Sequence, residues 1–330
     1  MHPSFLSVDA PGSIAATSQQ KTSPKLARRA AGECIEVLGQ QARVRIGSRD
    51  TGGVLALLEL EIRPHEGAPY HVHRNEDEVF FVRQGCFEFI LDGAKHQVET
   101  GDMIYGPRDV PHTFRNLDSQ TSILQVVALG NGVEQFLRCC AEALAVGSGK
   151  QAPAGIAAAH NIEFVAPDTP FVRQSKGGAR PKIIRVTEQK SGAGLLQAFG
   201  ACRFQLESGD TAGTLCSSLH ETPSCSGPPL HMHEREDELF LIESGCYEFQ
   251  LGTARIHANA GDAVWAPRCV PHTFRVISDT PGLMLTLNTP GGFDQFFRAT
   301  AEVFANEQAS PERLAQIGTD YGIHFLPVEL

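Results

Sequence analysis

The sequence predicts an all-β protein with short helices, arranged as two tandem antiparallel sandwiches or barrels, each followed by a C-terminal helix. Three observations carry this. Short strand-like runs recur with turn signals at roughly the 8–12-residue spacing of sandwiches and barrels. The whole pattern then appears a second time, with His231 standing to His71 as Glu238 stands to Glu78, 160 residues on. At the end of each copy the apolar period lengthens from two residues to three and four, the spacing of a helix face.

Residues 1–32 are rich in Ser, Ala, Thr, Gln and Pro and show no period, so they are expected to form an arm that is ordered only if it docks. From Cys34, IEVLGQQARVRIGS and VLALLELEIRP read as strands split by the turn signal SRDTGG. HVH and VFFV follow, then a turn at Arg83-Gln84-Gly85 and the alternating run CFEFIL. Asp92-Gly93 is a hairpin signal. KHQVET leads to the Gly101-Asp102 turn and then to MIYGP, HTFRN and SILQVVAL. After Gly130-Asn131-Gly132 the run VEQFLRCCAEALA is helical, and FDQFFRATAEVFA answers it after Gly291-Gly292. AAAHNIEFV is matched by GTDYGIHFL, so the repeat includes the helical tail. The expected boundaries are a first domain over 33–165, a linker over 166–190 and a second domain over 191–330, where SGDTAG repeats SRDTGG.

At 330 residues the chain can bury two cores of ordinary size. With 42% hydrophobic and 20% charged residues it is not a disordered chain. Its net charge of -10 argues against nucleic acid and anionic membrane as partners. Nine cysteines, an odd number with no CxxC pair, read as free thiols of a reducing compartment. No apolar run approaches bilayer length, and the N-terminus lacks the basic start and apolar stretch of a secretory signal. A cytoplasmic location is therefore expected.

The chemistry lies in GAPYHVHRNEDEVFFVRQG and GDMIYGPRDVPHTFRN, and in their second copies, GPPLHMHEREDELFLIESG and GDAVWAPRCVPHTFRV. His71 and His73, two apart on a strand, point to one face. With Glu78 and His112 they offer three imidazoles and a carboxylate. His231, His233, Glu238 and His272 repeat the set. Such donors suit one first-row divalent metal per domain, with positions left open; Fe, Mn, Ni, Co and Cu all accept them, Fe or Mn being favoured. Glu78 and Glu238 are either ligands only or also the general bases. Strand parity offers Phe80 and Phe114, repeated as Phe240 and Phe274, and matching positions after the Gly-Asp turn, where parity does not decide, offer Tyr105 and Trp265, either as the lining of a substrate pocket or as core. Glu76 and Glu236 are expected to face solvent. Arg108 and Arg268 are expected to meet a neighbouring carboxylate.

These residues resemble the cupin superfamily. Its first motif is matched by His71, His73, Glu78 and Gly85 and by His231, His233, Glu238 and Gly245, with the opening glycine displaced to Gly67 in the first copy. Its second motif is matched by Gly101, Pro107, His112 and Asn116 and by Gly261, Pro267 and His272. The departures are Asp109 and Cys269 at the inner glycine and Val276 at the final Asn. Cysteine tolerates unusual backbone angles less well than Asp, so a differently shaped second turn is expected. Chain length, the E-D-E-[VL]-F run and the QF-[LF]-R helix are similar to the quercetin 2,3-dioxygenase-like bicupins. The resemblance implies two jelly-roll barrels with metal inside. It also implies ring-opening dioxygenation of a flavonol-like or other enolic aromatic substrate with release of carbon monoxide.

Two rivals remain. One is a redox-neutral cupin metalloenzyme (isomerase, cyclase or decarboxylase) on a small metabolite; oxalate decarboxylases share the ligands, but favour an Arg on the approach to HxH where this chain has GAPY and GPPL. The other is a non-catalytic ligand-binding cupin, against which the retention of all eight ligands counts. The partners expected are a small organic substrate and dioxygen, in a monomer or homodimer. The first site, with Asn116 and Asp109, is expected to carry more of the turnover.

Overall fold

The computed structural model describes residues 22–37, 40–145, 152–166, 178–186, 201–306 and 310–327. Most of the expected arm and much of the linker lie outside them. Each half is a sandwich of two antiparallel sheets. In the first half a seven-stranded sheet has the order Lys182–Ile184, Met103–Gly106, Glu78–Gln84, Ser122–Ala128, Ala56–Ile62, Gln40–Ile46, Glu33–Val37. Facing it are Ile162–Phe164, His71–His73, His112–Asn116, Cys86–Leu91 and Ala94–Glu99. The second half repeats this with six strands (Lys25–Ala27, Ala263–Ala266, Asp237–Ser244, Gly282–Thr289, Cys216–Thr222, Ala201–Leu206) and five (Ala254–Asn259, Cys246–Leu251, His272–Val276, His231–His233, Ile323–Phe325). The jelly-roll expectation holds in this two-sheet form.

The strands form where the alternation says they should. Cys86–Leu91 buries Phe87, Phe89 and Leu91 and turns Cys86, Glu88 and Ile90 outward. Glu78–Gln84 is buried on both faces, because it lies between two cores. Phe80 and Val82 join the interior of the first sandwich. Val79 and Phe81 join a cluster shared with Leu239, Leu241, Trp265 and Leu287 of the second half. The two sandwiches are thus packed back to back through one apolar core.

They are also laced together. Lys25–Ala27, in the expected arm, pairs with Ala263–Trp265 of the second half. Lys182–Ile184, in the expected linker, pairs with Met103–Tyr105 of the first. The side chains follow the same two-fold plan. Lys25 bonds Asp50 and Lys182 bonds Asp210; Arg28 bonds Asp262 and Arg185 bonds Asp102. Arg83 reaches both carboxylate oxygens of Glu243 at 2.8 Å across the seam.

After each sandwich come two helices rather than the one expected. They are Gly132–Ala145 and Ala152–Ala159, then Phe293–Ala305 and Pro311–Asp320. Each pair returns the chain to add a short strand beside HxH: Ile162–Phe164 beside His71–His73, and Ile323–Phe325 beside His231–His233.

Candidate functional site

The HxH strand is held between two neighbours, and this fixes the ligands. Ile162–Phe164 runs along one edge, and His112–Asn116 along the other, with His71 directly opposite His112. Glu78 opens a strand of the facing sheet. The turn before His112 is pinned by the Asp109 N–H donating to the His73 carbonyl at 2.8 Å, with Asp109 at φ 61°. Cys269 adopts the same φ and donates to the His233 carbonyl at 2.7 Å. The second turn therefore has the first one's shape, against expectation: its backbone bond holds Cys in the left-handed region.

In each half the four ligating atoms lie within 4.8 Å of one another, and all eight side chains are buried. His71 Nδ1 donates to the Pro69 carbonyl at 2.7 Å and His112 Nδ1 to that of Val110 at 3.0 Å. His231 and His272 repeat this with Pro229 and Val270, at 2.8 and 2.9 Å. A proton fixed on Nδ1 leaves the Nε2 lone pair facing the centre, as a metal requires. His73 and His233 instead turn Nδ1 toward Glu76 (3.9 Å) and Glu236 (3.3 Å). Glu78 Oε2 stands 2.9 Å from His112 Nε2 and 3.1 Å from His73 Nε2.

The electrostatics agree. Burial, with His112 and His73 nearby, holds His71 well below the ordinary imidazole range, and burial with His272 and His233 does the same to His231. Burial acts against protonation of His73 as well, but the Glu78 carboxylate outweighs it and raises that pKa. Burial would raise Glu78 and Glu238, yet His73 and His233 first, then the third histidines, hold both below the usual carboxylate range. Three imidazoles and an ionised carboxylate, converging in a buried spot, fit a divalent first-row metal in each half.

The surroundings differ between the halves. Against the first cluster lies a cavity of about 290 Å³, bordered by His71, His73 and Glu78 and walled by Leu58, Leu60, Phe80, Phe114, Val126, Val133, Phe136, Leu137, Ile162 and Phe164. Its described lining includes neither Lys nor Arg. The phenylalanine pair beside the cluster is common to both: Phe80 and Phe114 lie 6.1 Å apart between ring centroids, and Phe240 and Phe274 6.0 Å; the neighbours are not. Phe293 takes the position of Val133 and packs on His233 at 5.0 Å. Ser218, His220 and Thr286 replace Leu58, Leu60 and Val126.

Tyr105 and Trp265, offered by the sequence as pocket residues, face the other way. Both are fully buried in the core between the sandwiches, and the Tyr105 hydroxyl donates to Asp77 at 3.1 Å. Glu76 and Glu236 do not face solvent; both are about 5% exposed or less. Glu76 accepts from the Gly132 and Val133 N–H groups at the start of the helix, where a carboxylate is favoured. Arg108 Nε donates to Asp77 at 2.8 Å and Arg268 Nε to Asp237 at 3.0 Å. Asn116 is a structural knot: its amide donates to the carbonyls of Ile62, Arg63 and Gln120 and its oxygen accepts from Ser122. In the second half Val276 and Gly282 replace Asn116 and Ser122, and Tyr247 fills the space over Gly282. The sequence pattern missed the helix residues that wall the cavity. It also missed Asn288, whose amide donates to Glu238 Oε1 at 2.8 Å. Comparing inward-facing positions of the repeat would have found it, since its counterpart is Ala128.

Two segments, residues 58–127 and 219–288, match the cupin domain. Quercetin 2,3-dioxygenase of Bacillus subtilis is 24% identical over 300 residues, 85% of this chain and 87% of that one. Among solved structures, oxalate decarboxylase of Bacillus subtilis has a TM-score of 0.56 at 16% identity, covering 98% of this chain and 97% of that one. The formate complex of Lactobacillus farciminis oxalate decarboxylase has a TM-score of 0.54 at 16% identity, covering 90% and 97%. At such identity these two likenesses concern the fold.

Proposed function

Since the chain is a bicupin, two cupin domains in tandem, we propose that it is a metal-dependent dioxygenase acting on a flavonol-like or other enolic aromatic substrate, chiefly in the first domain. The observation that carries this is the apolar, ring-walled cavity of about 290 Å³ opening on His71, His73 and Glu78. It is near the lower end of ordinary small-molecule pockets, about 300–1,000 Å³, and suits one planar molecule. Likeness to quercetin 2,3-dioxygenase over most of both chains supports the substrate class. The absence of Lys and Arg from the described lining weighs against a small dicarboxylate, whose charge would need a cation.

His71, His73, His112 and Glu78 would hold the metal in the first domain, and His231, His233, Glu238 and His272 in the second, Fe or Mn being favoured. Such an ion would supply Lewis-acid chemistry toward an enolic oxygen and reactivity toward dioxygen. Phe80, Phe114 and Phe136 orient the substrate plane and keep water out. Glu78, at the cavity edge, takes the proton of the enolic hydroxyl as general base. The protein is assigned to the cytoplasm and works as a monomer, whose halves already pair, or as a homodimer of it.

The test is dioxygen consumption over a panel of flavonols and other enolic aromatics, with carbon monoxide detection and elemental analysis. Glu78→Gln should lower kcat about 10²- to 10⁴-fold, the range of a lost general base, with metal content near normal. Glu238→Gln should cost less. Full activity in Glu78→Gln, or a larger loss from Glu238→Gln, would overturn the assignment; turnover without dioxygen uptake would place the enzyme among redox-neutral cupins.

A further inference from the structure

The two carboxylates sit in matching places but are held differently. Ala128 is the strand partner of Glu78, and Asn288 is the strand partner of Glu238. Asn288 Nδ2 donates to Glu238 Oε1 at 2.8 Å, and both side chains are buried. Glu238 Oε2 stands 2.6 Å from His272 Nε2 and 3.5 Å from His233 Nε2. One oxygen is thus committed to the amide, and the other faces the imidazole centre without a hydrogen bond of its own. In the first domain Glu78 Oε2 makes the same approach to His112 and His73, but the residue across the strand offers only a methyl group, and the side chain borders a cavity. Glu238 has Phe293 packed on the neighbouring His233 instead.

We propose that Asn288 is a positioning residue that makes the second cluster a metal-retaining site with a fixed carboxylate. The first cluster, with Ala128 in that position, keeps a carboxylate able to change its bonding. The inference rests on the metal-binding reading above and deepens it: the duplication has separated retention from turnover. An outer partner that orients a ligand changes metal affinity by about 10- to 100-fold, enough to separate two otherwise identical donor sets.

The experiment uses the full chain loaded with Mn(II) and challenged with excess chelator, release being followed by ion-indicator absorbance and by the electron paramagnetic resonance signal of the bound ion. The wild type should release its two ions in two phases of equal amplitude, with rates at least tenfold apart. Asn288→Ala, which restores the residue found at the matching position, should bring the slow phase to within a few-fold of the fast one and alter the resonance of the slowly released ion only. Ala128→Asn should slow the fast phase. A single phase in the wild type, or an unchanged slow phase in Asn288→Ala, overturns the proposal and leaves the dioxygenase reading standing. If Asn288→Ala does not fold, an unslowed fast phase in Ala128→Asn overturns it. Protein that takes up neither Mn(II) nor Fe(II), Co(II), Ni(II) or Cu(II) in either half overturns both readings.

Discussion

His220 shows how one residue sets a pH dependence for the whole fold. It is half-buried in the second sandwich where the first carries Leu60, and its Nε2 lies 2.9 Å from Ser218 Oγ. Burial lowers its pKa to about 4. Above the ordinary value near 6.5 the residue is neutral in both folded and unfolded chains, so it adds no slope. Below that value the unfolded chain takes a proton that the folded chain refuses, and stability falls until about pH 4, then levels off. The loss by pH 5 is at most about 2 kcal/mol, since the half-buried residue keeps some solvation. His220→Leu should remove that part of the decline between pH 7.5 and 5 in urea unfolding at matched metal content; an identical decline would show that His220 contributes nothing. At this scale the two four-residue clusters were legible, because residue type, spacing and turns recur together. Tyr105 and Trp265 were not, because their strands are buried on both faces and alternation says nothing about which core a ring enters. Glu76 misled for a related reason. A carboxylate beside a metal motif looks solvated in sequence, while its partners are backbone N–H groups of a helix more than fifty residues on.

Among the elements, the exchanged strands contribute most beyond the repeat itself. Lys25–Ala27 covers the edge of Ala263–Ala266 and buries Ala27 in the core between the halves. Arg28, and the Arg29 N–H, bond the buried Asp262. Deleting residues 1–30 should cost about 2–4 kcal/mol, as expected for lost apolar burial and an unpaired buried carboxylate. It also bares an edge strand, so concentration-dependent association should accompany the drop in Tm; scanning calorimetry and sedimentation at two concentrations measure both. Unchanged values would mean that the arm only rests on the second half. The sequence pointed to an arm that docks across the barrels, yet not to the strand it pairs with, since three residues carry no period. The helix Ala152–Ala159 was missed because APAGIAAA has no polar face to give it one.

At the scale of the molecule the halves share a core that neither can cover alone. Leu55, Leu57, Val79 and Tyr105 from one half meet Leu206, Leu239, Trp265 and Leu287 from the other. Residues 1–172 and 173–330, expressed separately, should each aggregate or bind a hydrophobic dye. Expressed together they should re-form a soluble pair with the elution volume of the intact chain. Two stable, independent monomers would show that the shared core is dispensable. The duplication itself was plain in the sequence; the face on which the copies meet was not, because the apolar residues of central strands serve both cores.

The exchange of strands has one more consequence, a mechanical one. Lys25–Ala27 and Ile323–Phe325, the first and last strands described, both belong to sheets of the second half. A pull applied through these two strands is borne by the second sandwich and by the backbone bonds between Lys25–Ala27 and Ala263–Trp265. The first sandwich, with its cavity, takes up that load only through side-chain bonds, Lys25 to Asp50 and Arg45 to the Ala27 carbonyl, until those backbone bonds part. Tension along the chain therefore meets the half that holds its carboxylate fixed before it meets the half that must let one move.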